Sequence, residues 1–145
     1  MDPTIDSVPV PRAGIDHIRC ARQALAAINT RPPRPGAAQI SVLALDREHR
    51  GVALMTVADP PDRDAVVTVA TLVANAHQRT GRRRNAVVLA SFRPGDDADL
   101  SDIDRWIECD SIFDEIGVDL LEWFVIGARL VCPREFTAER PRWRP

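Results

Sequence analysis

Five consecutive residues, Ala86-Val87-Val88-Leu89-Ala90, carry no polar side chain and lie between an arginine triplet and a polar loop. A run this short and this uniformly apolar suits a central strand buried on both faces, which needs helices above and below its sheet. That requirement directs the rest of the chain toward layered α/β architecture.

The flanking sequence supplies the layers. Residues 1–13 read as a lead-in without regular structure. From Gly14 to Ile28, apolar residues Ile15, Ile18, Leu25 and Ile28 recur at helical spacing. The segment Thr30-Arg31-Pro32-Pro33-Arg34-Pro35-Gly36 ends that helix, because proline cannot donate to its ladder and restricts the residue before it. Gln39–Asp46 and Gly51–Ala58 are β-branched and apolar around the charged turn Arg47–Arg50, so they predict a hairpin. Pro60-Pro61-Asp62 announces a second helix, with Asp62 as its candidate cap and Val66, Val69, Leu72, Val73 and Ala76 as its apolar face.

After the central strand, helical period returns from Ser101 to Ile116, with Ile103, Trp106, Ile107, Ile112, Phe113 and Ile116 on one side and Gly117 in the terminating position. Val118–Ile126 and Arg129–Cys132 predict the last strands. The tail from Phe136 is rich in arginine and proline and is expected to be loose. The predicted fold is therefore an α/β sandwich, a mixed β-sheet flanked by helices, preceded by an N-terminal helix. Its parts are an extension over 1–37, a compact domain over 38–135 and a tail over 136–145.

Composition narrows the function classes. All 19 basic residues are arginine, and a net charge of −2 gives the whole molecule no field favouring DNA or a membrane surface. No apolar run approaches the ~20 residues of a membrane span, and Met1–Pro11 lacks the pattern of a signal peptide. Three cysteines, Cys20, Cys109 and Cys132, are widely spaced without any C-x-x-C, which fits reduced thiols in a cytoplasm better than a disulfide framework. His17, His49 and His77 are dispersed, with no metal-ligand spacing among them.

From Gln39 to Glu135 the chain resembles the JAB/MPN domain of the RadC type. Gln39–Asp46 is similar to that family's opening strand, and Ala86–Ala90 to the strand that delivers its paired histidines. Ser101-Asp102-Ile103-Asp104 resembles the family's Ser-x-x-Asp element, Leu120–Gly127 its Leu-Leu-Asp-His-x-Ile-x-Gly strand, and Cys132–Glu135 its Ser-x-x-Glu close. The resemblance implies a cytidine-deaminase-like sandwich and, in active members, zinc held by two histidines and an aspartate with a glutamate as base.

The departures from that pattern bear on function. The histidine positions hold Ser91 and Arg93, the base position falls near Ala38 and Gln39, and Trp123 stands for a further histidine. A guanidinium does not deprotonate and cannot coordinate zinc. The implied reading is a degenerate domain with Ser91, Arg93, Ser101 and Asp104 as vestiges, no metal and no cofactor. Arg93 is expected to pair with Asp104, and with Asp102 as a second acceptor.

Ser101 and Asp104 also read as a helix-capping box, which needs no catalytic history. Arg82, Arg83 and Arg84 read either as a solvated turn offsetting a helix dipole or as phosphate contacts. Trp123 and Phe124 face opposite ways along a strand, so one is expected to be exposed; beside Glu122 an exposed aromatic would serve as a binding anchor. The expected partner is another protein, with a homodimer or nucleic acid as further options and no membrane. A zinc peptidase with rearranged ligands is the rival reading.

Overall fold

The computed structural model of the chain describes residues 8–80 and 86–143. Its order is α1 (Ala21–Ile28), β1 (Gln39–Leu45), β2 (Gly51–Ala58), α2 (Ala65–Thr80), β3 (Ala86–Phe92), α3 (Ser101–Asp114), β4 (Asp119–Ile126), β5 (Leu130–Val131) and a 3-10 turn over Pro133–Thr137. The strands form one mixed sheet in the order β2-β1-β3-β4-β5. β1 runs antiparallel to both β2 and β3, β3 and β4 are parallel, and β5 returns antiparallel to β4. The α/β expectation holds, and the apolar run lies centrally as β3, with Ala86–Ala90 fully buried.

Alternation along β3 and β4 builds two cores. Val87, Leu89, Trp123 and Val125 point to one face, where α2 and α3 pack through Val66, Val69, Trp106 and Phe113. Ala86, Val88, Ala90 and Phe124 point to the other, covered by Ile18, Ala24 and Ile28 of the α1 segment. The segment read as an extension thus contributes side chains to the core of the sheet. Its helix begins at Ala21, later than the spacing predicts, and Ile15 is exposed.

Two other helical faces are rotated from expectation. On α2 the buried residues are Ala65, Val66, Val69, Ala70 and Ala74, while Leu72 and Ala76 face solvent. On α3 they are Asp102, Trp106, Cys109 and Phe113, and Ile107 is exposed. This i, i+4, i+7, i+11 stripe includes a carboxylate, so reading only apolar residues shifts the inferred face.

The tail is anchored. Arg142 donates to Asp110 at 2.7 and 3.2 Å, to Glu139 at 2.6 Å and to the Leu120 carbonyl at 2.8 Å. Its guanidinium lies 4.9 Å from the centroid of the Trp106 ring, and Trp143 packs against the α1 face of the sheet. Expectation failed here because every partner of Arg142 except Glu139 is distant in sequence. Replacement of Arg142 by alanine should lower stability by about 2 kcal/mol, as loss of charge-assisted hydrogen bonds does, read as a shift in urea midpoint.

Gly117 closes α3 with φ 73°, as its position predicts. Gly127 has a different role: a Cβ there would lie 1.6 Å from the Asp96 carbonyl oxygen, so the loop after β3 rests directly on the backbone after β4. Gly127→Ala should therefore cost about 3 kcal/mol through forced backbone displacement. Chemical denaturation checks this, and an unchanged midpoint would show that the loop yields freely.

Candidate functional site

The C-terminal end of β3 carries Ser91 and, one residue beyond the strand, Arg93. Pairing with β4 continues past the strand end, since the Arg93 amide donates to the Ile126 carbonyl at 2.8 Å. Period-two alternation puts both side chains on the face of Leu89 and Trp123. The Trp123 indole N–H donates to Ser91 Oγ at 3.0 Å. The Arg93 guanidinium stands 5.7 Å from the centroid of the same ring. Trp123 thus engages both positions that the family resemblance assigns to histidines.

Arg93 pairs with Asp102 in a bidentate fork, Nη1 to Oδ2 at 2.7 Å and Nη2 to Oδ1 at 2.9 Å. Asp102 is 1% exposed and Arg93 8%. Two further donors complete the carboxylate: Arg105 Nη1 at 2.8 Å and the Asp99 amide at 2.8 Å. Burial pushes the Asp102 pKa up, but the Arg93 hydrogen bonds, the Asp99 amide and Arg105 outweigh it and hold the carboxyl below its ordinary value. Its place in the first turn of α3 adds a favourable helix dipole.

The expected Arg93–Asp104 pair does not form. Asp104 is exposed on the outer side of α3, and the convergent carboxylate is Asp102. Two residues along a helix is a rotation of about 200°, so Asp102 and Asp104 occupy opposite sides. The capping box is absent as well. Ser101 is exposed, and Leu100 at the cap position has αR geometry and makes no side-chain cap hydrogen bond.

A wider arginine–aspartate network surrounds this pair. Arg105 also reaches Asp64 at 2.8 Å and Asp99 at 3.3 Å. Arg63 pairs with Asp99 and, at 3.7 Å, with Asp96. The network joins the start of α2, the loop after β3 and the start of α3. Arg105 was missed in the sequence, and Asp102 was read only as a second acceptor for Arg93, although Asp99, Asp102 and Arg105 recur at one-turn spacing, which was the available signal.

Beside the pair opens a cleft of about 320 Å³, lined by Ala38, Gln39, Pro61, Arg63, Ser91 and Arg93 among others. Gln39 donates its side-chain amide to the Arg31 carbonyl at 2.8 Å and to Ser41 Oγ at 3.1 Å. Among the described residues no histidine, cysteine or glutamate lines the cleft, and its carboxylates are Asp62 and Asp96. A hydroxyl bonded to an indole, together with a guanidinium, makes no donor set for zinc. Among the described residues no group of three or more His, Cys, Asp or Glu is placed to hold a metal ion.

Other candidates fall elsewhere. Glu122 and Trp123 are both buried, so the exposed-anchor expectation is corrected: each side of β4 has a covering layer, and neither Trp123 nor Phe124 reaches solvent. Glu122 accepts from Arg134 Nε at 3.0 Å, while Arg134 Nη1 donates to the Glu139 carbonyl at 2.6 Å. Burial raises the Glu122 pKa, Arg134 offsets part of that rise, and burial also takes the nearby Cys132 thiol up to about 12. Arg82, Arg83 and Arg84 lie outside the described residues. No helix among the described residues is long and apolar enough to cross a membrane.

Breaking a buried ion pair strands a charge, so Arg93→Ala or Asp102→Ala should each cost about 4 kcal/mol. Because the folded pKa of Asp102 is depressed, its stabilising contribution is present above the unfolded value of about 3.9 and is lost as pH falls through the folded value. Urea titrations in this acid range should show a smaller loss of stability in Asp102→Asn than in the parent chain. Equal acid sensitivity in the two proteins would remove Asp102 from this role.

No protein-family model matches the chain, and no curated protein matches its sequence.

Proposed function

We propose that this chain is a catalytically inactive JAB/MPN-like domain of the RadC type, acting in the cytoplasm as a binding or regulatory module for another protein. The observation that carries this reading is the consumption of the resemblance's metal positions by internal contacts. Arg93 is spent on Asp102, and Ser91 on the Trp123 indole. The strand order β2-β1-β3-β4-β5, with β1 antiparallel to both its neighbours, supports the cytidine-deaminase-like part of the reading. The resemblance places the family's aspartate at Asp104, which is exposed, and the inward carboxylate at that end of α3 is Asp102. A link to DNA maintenance comes with the resemblance alone.

The reading is tested by metal content and by reversal. Protein made in zinc-supplemented medium should carry zinc well below one equivalent and should leave peptide and isopeptide bonds intact. Stoichiometric, chelator-sensitive zinc with peptidase activity would establish the rival enzyme instead. Conversely, Ser91→His/Arg93→His/Trp123→His with Asp102 retained should gain zinc affinity, since the imidazoles at 91 and 93 and the carboxylate form a three-ligand site and the third imidazole replaces the indole that engages both positions. A folded triple variant that takes up no zinc would count against the proposed ancestry.

A further inference from the structure

On the outer side of α3, away from the Ser91–Arg93 cleft, lies an apolar groove of about 390 Å³. Ala98, Ile103, Val131 and Pro133 line it, and Leu100 and Phe136 stand at its sides, 83% and 66% exposed. Ile107, on the same side of α3 as Leu100, is more than half exposed. Single exposed apolar residues need no explanation, but a contiguous set beside a concavity marks an interaction surface.

The charges nearby identify the occupant. Leu100, Asp104, Ile107 and Glu108 follow one another at i, i+4, i+7 and i+8 along α3, so carboxylates alternate with apolar side chains on the exposed stripe. Asp104 and Glu108 form no ion pair among the described residues, unlike the carboxylates of the network on the inner side. Glu135, also exposed, adjoins Phe136 in the 3-10 turn. Among the described residues Arg129 is the one cation lining the groove, turned toward Asp97 at 3.8 Å, and the lining carboxylate Asp99 is held by Arg63 and Arg105.

We infer that this groove docks a cationic amphipathic segment of another protein. Its apolar residues enter between Leu100 and Phe136, and its arginines or lysines meet Asp104 and Glu108. Helix-in-groove recognition has this composition, with apolar anchors at helical spacing supplying affinity and rim charges supplying selection. The inference does not depend on the ancestry of the Ser91–Arg93 site, because no residue of that pair contributes to it.

The test uses the full chain and a display library of random 16-residue peptides, with counter-selection against Asp104→Arg/Glu108→Arg. The enriched peptides should combine leucine-like residues with arginine or lysine one helical turn apart. Their affinity should fall with added salt, and by roughly tenfold or more in Phe136→Ser or in the charge-reversed variant. All altered residues are exposed, so circular dichroism melts should match the parent. Selected peptides that are acidic or uncharged, an absence of enrichment, or binding unaffected by the variants would each overturn the inference. A dimer seen by light scattering and dissolved by Phe136→Ser would overturn it too, making the occupant a second copy.

Discussion

The buried fork between Arg93 and Asp102 organises the upper edge of this molecule. Desolvating two opposite charges is costly, and the return depends on filling every donor and acceptor position around them. Here the carboxylate accepts from Arg93, Arg105 and the Asp99 amide, while the guanidinium lies beside an indole that itself bonds Ser91. A carboxylate with four donors around it fixes the end of β3 to the start of α3, and with them the loop between. Its value lies in specifying one geometry for that loop more than in net free energy.

The same cluster separates two surfaces with different chemistry. Inside it, aspartates and arginines neutralise one another and leave little free charge. Outside it, α3 presents Asp104 and Glu108, which form no ion pair among the described residues, next to apolar side chains. One short helix therefore serves both as a fastener to the sheet and as an exposed face. The division follows from helical phase, with Asp102, Trp106, Cys109 and Phe113 turned in and Leu100, Asp104 and Ile107 turned out.

Much of the strand framework was legible in the sequence, because apolar, β-branched runs bounded by turns have few alternatives. β1, β2 and β3 begin and end within a residue or two of the expected positions, and Gly117 marks the close of α3. Helix orientation was less legible. Ile107 and Leu72 are apolar and sit at permitted spacings, yet the burial of Asp102 on α3 and of small alanines on α2 rotates each face away from them. The pairing of Arg93 was half legible: the need for a carboxylate partner was plain, but choosing between Asp102 and Asp104 required knowing which side of α3 met the sheet. Glu122 and Trp123 were misplaced for a related reason, since Trp123 is covered by α2 and α3 and Glu122 is paired by Arg134 of the 3-10 turn, all distant in sequence. The tail's anchorage depends on contacts between segments distant in sequence, and nothing local to residues 136–143 reveals it.

The parallel pairing of β3 with β4 has a consequence for how the chain is made. During synthesis β1, β2 and β3 emerge first and can pair with β1 in the middle, leaving one side of the largely apolar β3 without a neighbour until β4 is threaded alongside. Truncated or stalled nascent chains ending before residue 119 would display an uncharged strand margin of the kind that recruits chaperones or self-associates. The sheet is safe from its own kind only once β4 has emerged and paired with β3.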